Sequence, residues 1–410
     1  MNENMNGKGK SKFSDGDPIT REDVEYVVKV ACDSNFKIVN YHLRTLSAEK
    51  LGFLGAHRHL IVEILQENGC TVRTQSYFVK SIPYGIESQV SIIEGCRAFY
   101  KEIHFYEKIL PELMNSLKDK SWVAQCFLIK KDAMVFEDLK LKNFTLKGKL
   151  LDVSDLKAAL SAFAKLHASS MLVEKRLGKT FLELYPRVVE ENIFSRSSVF
   201  RDWFESGVSA ASTIAQHLGL DGSTIRRVCD RIFDKISISA NRKNVLCHGD
   251  PKSYNLMFDD SQKCVLVDFQ LIRYAPVSVD ILQLLYINTV RNLRNKYEFD
   301  LLKHYHRELC TILKSRDEKI PLPKYNELLE EFEELRVVGV VTNLLYTPSN
   351  MMEGKECSKM TEDSEGFSKL FFSDRSQMIL DMMERDSNYR DLIIEGIEEI
   401  IERSDQLLKL

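Results

Sequence analysis

The 410-residue chain changes texture once, near residue 141, and that change narrows the folds open to it. Before it, β-branched and aromatic residues alternate with polar ones in five runs, FKIVNYHL, HRHLIVEILQ, TVRTQSYFVKSI, WVAQCFLI and AMVFEDL, at the period of two that a half-buried strand requires. One helix interrupts them, predicted over 94–110 from the apolar stripe Phe99, Ile103, Tyr106 and Leu110, with Pro111 as its stop. After the change the period lengthens, and helices are predicted over 154–170, 198–218, 223–238, 279–293, 298–314, 325–345 and 391–408. Among them sits one small hairpin, YNLMF and KCVLVDF joined by Asp259-Asp260-Ser261-Gln262, and residues 349–374 read as a long loop. Segregated strands and helices imply an α+β chain in two lobes. Residues 1–35 would be a tail and lead-in, 36–140 a small β-rich N-lobe, and 141–410 a large, mainly helical C-lobe.

Composition excludes several functions. Lys and Arg total 57 against 60 Asp and Glu, so no basic excess draws the molecule onto nucleic acid or an anionic membrane. Nine scattered cysteines without a CxxC pair signal neither a disulfide framework nor a zinc knuckle, and no stretch approaches the roughly 18 apolar residues of a membrane span. These features predict a cytoplasmic protein. Gly9-Lys10-Ser11 matches the end of a Walker A loop, but its first glycine would fall at Asn4 and no strand precedes it.

The chemistry concentrates at the hairpin. His248-Gly249-Asp250-Pro251-Lys252-Ser253-Tyr254-Asn255 precedes it and Asp268-Phe269-Gln270 follows its second strand. Asp250 five residues before Asn255, with a further Asp after the next strand, is the spacing that phosphoryl transfer uses in kinase-like folds. Asp250 is the candidate base for an acceptor hydroxyl. Asn255 and Asp268, expected on two adjacent strands, offer hard oxygens to Mg²⁺. A tight turn alone would explain His-Gly-Asp-Pro, but not a carboxylate closing the apolar run Val265-Leu266-Val267, which costs desolvation unless a cation compensates.

HGDxxxxN with a following DFQ resembles the aminoglycoside phosphotransferase and choline kinase group of the protein-kinase-like superfamily. The longer stretch VLCHGDPKSYNLMF…VLVDFQLIRYAPVSVDIL resembles more specifically the ecdysteroid-kinase-like, or CHK-kinase-like, family. The resemblance implies a two-lobed kinase-like fold, ATP and Mg²⁺ as cofactors, and a small-molecule alcohol, with a steroid favoured, as acceptor. It places the phosphate-binding lysine at Lys80 and its ion-pair partner at Glu102. It also places the hinge that meets adenine at Phe136, Glu137, Asp138 and Leu139, and a phosphate-covering loop between the first two strands at Gly52-Phe53-Leu54-Gly55-Ala56-His57-Arg58. His167 would be a packing residue, and Asp280 would cap its helix and tie down the catalytic loop. The chain departs from the family at Pro251–Tyr254, where Lys252 adds a cation beside Asp250. Two alternatives stay open: a kinase for choline-like or xenobiotic molecules, for which Phe200, Trp203 and Phe204 with Asp202 and Glu205 could wall an ammonium site, and a nucleotide- or steroid-binding protein without turnover. The sequence leaves the oligomeric state undetermined.

Overall fold

The computed structural model describes residues 17–32, 36–45, 54–66, 71–238, 242–316, 319–352 and 360–409. Gly9-Lys10-Ser11, Gly52 and Phe53 lie outside them.

Helix α1 (Arg21–Ala31) opens the chain, closed at its start by a Thr20/Asp23 capping box. Strands β1 (Phe36–Thr45), β2 (Ala56–Gln66) and β3 (Val72–Ser81) come after it. Next come helices α2 (Glu87–Gly95) and α3 (Ala98–His104), a π-helical segment at Phe105–Ile109 and helix α4 (Leu110–Ser116). Strands β4 (Cys126–Ile129) and β5 (Ala133–Glu137) complete an antiparallel sheet of order β1-β2-β3-β5-β4. Its two faces are buried differently. Tyr41, Leu60, Val62, Tyr77, Val79 and Val135 pack under α1, while Met134 and Phe136 join the main core on the α3 side. Side chains alternate along β3, so Lys80 shares the inner face with Phe78, opposite Met134.

The single helix expected over 94–110 is broken. The chain turns at Arg97, whose φ is +55°, and the π segment then inserts an extra residue into the turn, so the stripe from Phe99 to Leu110 does not lie on one uninterrupted α-helix. Pro111 does not stop it: it sits in the first turn of α4, where its missing N–H is harmless.

The remainder is mostly helical. A 3₁₀ turn (Leu139–Lys142) leads through the short strand β6 (Thr145–Leu146) to α5 (Val153–Leu177), α6 (Phe181–Leu184), α7 (Arg201–His217) and α8 (Ile225–Lys235). Strands β7 (Asn244–Cys247), β8 (Leu256–Phe258), β9 (Cys264–Leu266) and β10 (Arg273–Pro276) come next. Here β10 pairs with β7, and β6, β8 and β9 form a three-stranded sheet, so the expected hairpin is joined by strands that the sequence does not announce. β7 and β10 are four residues long and almost wholly buried, which erases the alternation that marks a strand.

Helices α9 (Val277–Asn288), α10 (Arg291–Arg316), α11 (Tyr325–Glu334) and α12 (Arg336–Asn350) succeed them, then α13 (Ser364–Phe371), α14 (Ser376–Arg385), α15 (Ser387–Glu402) and α16 (Ser404–Lys409). Every residue of α9 is buried, which makes it the central rod of this region. The helix expected over 325–345 divides at Leu335, and the loop expected over 349–374 contains α13, capped by Asp363 and anchored by buried Phe367 and Leu370. Among the described residues no helix is long and apolar enough to cross a membrane.

Candidate active site

β7 delivers the chain into the loop 248–255, which is clamped from several sides. Gly249 has φ +86°, and a Cβ there would stand 2.0 Å from the Leu271 carbonyl oxygen, so only glycine fits. Asp280 accepts the backbone N–H groups of His248 and Gly249 at 2.7 and 3.0 Å. It lies one turn inside α9, so it ties down the loop as expected but does not cap the helix. His167 sits 3.2 Å behind it and contacts the Tyr305 hydroxyl at 2.7 Å, a buried packing role. Burial opposes the Asp280 charge, yet the His167 hydrogen bond, the neighbouring imidazoles and the Gly249 N–H hold its carboxyl below the ordinary range. Asn288 accepts the Ser253 N–H at 2.7 Å and donates to the Pro251 carbonyl at 2.8 Å. Arg273 donates to the Gly249 carbonyl and pairs with Glu191 at 2.8 Å.

The clamped loop presents Asp250, 2 % exposed. Its Oδ2 receives Asn255 Nδ2 at 3.0 Å and lies 2.8 Å from Lys252 Nζ. Its Oδ1 is buried and, among the described residues, has no hydrogen-bond partner. Asn255 closes a 3₁₀ turn just before β8, and Asp268 comes two residues after β9. Neither residue is on a strand, contrary to the expectation from the sequence. Both instead stand past the same end of the antiparallel β8–β9 pair, where Val267 N–H bonds the Asn255 carbonyl at 3.0 Å. Leaving the ladder lets Asp268 adopt φ +69°, a conformation that aspartate tolerates better than most residues.

Lys80 reaches across from the sheet. Its ammonium contacts Glu102 at 2.5 Å, Asp268 at 2.7 Å and Gln270 at 3.3 Å. Burial disfavours that charge, but Asp268 and Glu102 outweigh it and hold the lysine above its ordinary range. Burial also pushes the Glu102 carboxyl up against the pull of Lys80, while Lys80 and Lys252 hold Asp268 down despite its burial. Glu102 lies on α3 and also accepts the Phe269 N–H at 3.2 Å, and Phe269 stacks on Phe105 of the π segment with centroids 3.9 Å apart. Of the expected phosphate-covering loop, residues 54–58 are described, and Ala56, His57 and Arg58 are not loop but the start of β2, paired with β3. Gly55 stands at φ +144°, and a Cβ there would lie 3.6 Å from Lys80 Cε.

The segment Phe136–Leu139 bridges sheet and helical region. Phe136 packs on Tyr106 with centroids 5.1 Å apart, and Glu137 accepts the Gln125 N–H at 2.8 Å. Asp138 accepts Ser76 Oγ at 2.6 Å and the Lys140 N–H at 3.1 Å, and Leu139 is buried with Ala124 and Val265. On the other side of Asp250 opens a cavity whose walls include Phe200, Trp203, Tyr346, Phe367, Phe371 and Phe372. Phe204 turns instead into the core against Phe233, and Glu205 pairs with Arg201 and Arg226. The only carboxylate among the described residues lining this cavity is Asp250.

The sequence profile of the ecdysteroid kinase-like family matches residues 55–317, well over half of the chain. The chain belongs to that family. It is accordingly a small-molecule kinase with a hydroxyl acceptor, and the protein-kinase-like architecture expected from the resemblance holds. No curated protein matches the chain. Among solved structures, an aminoglycoside phosphotransferase from Alicyclobacillus acidocaldarius is 13% identical over 92% of this chain and 96% of its own, with a TM-score of 0.40. A macrolide 2'-phosphotransferase type I is 11% identical over 86% and 97%, with a TM-score of 0.38. A spectinomycin phosphotransferase in complex with ADP and spectinomycin is 13% identical over 88% and 100%, with a TM-score of 0.37. Scores this low carry no inference about the chain.

Several residues around the site carry no sequence signal. Asn288 and Lys101, which donates to the Glu190 and Ile272 carbonyls at 2.5 and 3.0 Å, hold main chain through polar contacts that no motif marks. The aromatic wall on α13 lies in the stretch expected to be loop. A signal for it exists in Asp363, an N-cap residue, followed by the apolar pair Phe367 and Leu370.

Proposed function

We propose that the chain moves the γ-phosphoryl group of ATP, with Mg²⁺, onto an alcohol hydroxyl of an apolar small molecule, with an ecdysteroid-like steroid as the first acceptor to try. The observation that carries this reading is Asp250: one oxygen is held by Asn255 and Lys252, the other is buried and unpartnered among the described residues, and the residue is part of the lining of an aromatic cavity. A buried acceptor of that kind suits a hydroxyl that needs orienting and whose proton needs a destination. The hydroxyl oxygen bonds to phosphorus, the bond from phosphorus to the bridging oxygen breaks, that electron pair leaves with ADP, and Asp250 takes the proton.

Lys80, steadied by Glu102, would meet the α- and β-phosphates, and the backbone of Glu137–Leu139 beside Phe136 the adenine. The metal donors fit a hard cation. Lys80 engages one oxygen of Asp268, and the Asn255 amide commits its nitrogen to Asp250, so each residue keeps an oxygen for Mg²⁺. When bound, Mg²⁺ supplies charge neutralisation to the phosphates. In this reading 36–140 bind nucleotide and 141–410 provide catalysis and the acceptor pocket.

A quaternary ammonium acceptor is the weaker reading. Phe200 and Trp203 do line the cavity, but Glu205 is taken by two arginines and Lys252 lies beside the one acid present. The test is incubation with γ-labelled ATP, Mg²⁺ and a panel of hydroxylated steroids, apolar xenobiotic alcohols and choline. Label on a steroid or apolar alcohol is expected. Label on choline alone would overturn the acceptor class, and ATP binding without transfer to any member of the panel would overturn the acceptor reading as a whole.

A further inference from the structure

Behind the aromatic wall lies a second, smaller cavity, lined by a cation that has no carboxylate partner among the described residues. Arg375, at the start of α14, is among the largest fully buried side chains, with 1 % of its surface exposed. A guanidinium carries its charge at any physiological pH, so enclosing one without a counter-charge is strongly unfavourable. Elsewhere in the described chain buried arginines meet carboxylates: Arg273 pairs with Glu191, Arg294 with Glu399 and Arg336 with Glu298. Arg375 does not.

Its one hydrogen bond runs from Nη2 to the Trp203 carbonyl at 3.3 Å, and its face lies 5.9 Å from the Trp203 ring centroid. Nε and Nη1 are buried with no hydrogen-bond partner among the described residues. The adjacent acid, Asp374, is turned to Ser376, whose N–H and hydroxyl reach it at 2.9 and 2.6 Å. Burial pulls the guanidinium down to about 10, and the sole opposing influence is Tyr389, a phenol whose hydroxyl donates to the Pro348 carbonyl at 3.0 Å.

Arg375 lines a small cavity between α7, α12, α14 and α15, otherwise walled largely by aliphatic side chains and by Gly207 and Gly396. Both glycines keep it open. A Cβ on Gly207 would stand 2.4 Å from Arg375 Nη2, and one on Gly396 3.4 Å from Asn343 Nδ2. Asn343 adds a second donor, because its Oδ1 accepts the Thr347 hydroxyl at 2.7 Å and its amide nitrogen is the end near Gly396.

We propose that this cavity binds a small monovalent anion, a halide or a short carboxylate, on Arg375 and Asn343. One positive charge without a carboxylate partner among the described residues calls for one negative charge from outside. An aliphatic lining with few donors suits a compact, weakly hydrated ion better than phosphate or sulfate, which carry more charge and need more donors than these walls offer. The site is separate from the proposed phosphoryl-transfer centre and does not depend on it.

The test is a melting curve of the full chain at constant ionic strength, with sodium chloride, bromide, formate or acetate replacing sodium gluconate, whose anion is too bulky to enter. A saturable rise of about 2 °C or more in chloride, bromide or a short carboxylate over gluconate is expected, by preferential binding to the folded state. The halide and carboxylate arms distinguish the two sources of negative charge. Arg375→Met should abolish the rise and melt in gluconate no lower than the wild type, since an apolar side chain of similar length removes an uncompensated charge. Arg375→Gln is the second variant if Arg375→Met does not fold. Identical melting of the wild type in all five salts would overturn the site. So would an undiminished halide or carboxylate response in a folded Arg375 variant.

Discussion

Asp250, Asn255 and Asp268 are each placed by contacts beyond their own motif. Asn255 reaches Asp250 from the end of a 3₁₀ turn, Asp268 reaches Lys80 from beyond the end of β9, and the loop 248–255 hangs from Asp280, Asn288 and Arg273. The identities and spacing of the site residues are legible in the sequence because phosphoryl transfer needs those atoms at those intervals. Apart from Asp280, the clamps are not, because a buried Asn or Lys that bonds main-chain carbonyls leaves no periodic trace. One clamp titrates. His248 contacts the Val267 carbonyl through Nε2 at 3.0 Å and accepts the Asp250 N–H on Nδ1 at 3.3 Å, an arrangement that only the neutral ring can make. Burial holds its pKa below the ordinary value of about 6.5, although Asp280, Asp250 and Asp268 favour the charged form. The unfolded chain therefore binds a proton more readily than the folded one. The stability contributed by neutral His248 is complete above about pH 6.5 and is lost as the pH falls through the folded value. Melting curves from pH 8 to 5 should show a decline below pH 6.5 that is shallower in His248→Gln, and equal slopes in the two proteins would count against this role.

At the scale of elements, long regular runs are readable and interrupted ones are not. β1, β2 and β3 are readable because one face packs under α1 and the other is less buried, with Phe78 of β3 against the main core, whereas β7 and β10 are buried almost all round and show no alternation. α1 has a readable start in Thr20 and Asp23 and an apolar spacing in Val24, Val27 and Val28, but its position just after a polar tail hides it within the lead-in. The break at Arg97 and the π segment have a structural consequence: they set Glu102 toward Lys80 and Phe105 against Phe269, joining α3 to the segment that carries Asp268. α13 brings Phe367, Phe371 and the following Phe372 to the acceptor cavity, and it also packs on α2, where Ser88 N–H donates to Ser364 Oγ at 3.2 Å. Phe372→Ala should raise the KM for an apolar acceptor by about tenfold, the cost of roughly 1.4 kcal/mol of lost aromatic contact, with the KM for ATP unchanged. A rise in the ATP KM instead would place the residue outside the acceptor pocket.

For the whole molecule, near-zero net charge and an aromatic cavity point the same way. Lys80 and the proposed metal ligands give the phosphates local compensation, so no basic surface is required, and the acceptor side offers rings in place of charges. The proposed anion site behind Trp203 extends the same pattern, with one buried charge in an otherwise apolar region. The central claim is that Asp250 takes the acceptor proton while nucleotide is held elsewhere. Single-turnover transfer from γ-labelled ATP by Asp250→Asn, measured beside ATP affinity, tests it most directly. The account predicts a loss of about a thousandfold in transfer with ATP affinity within about twofold of wild type. Transfer within about tenfold of wild type by a variant that binds ATP normally would contradict it.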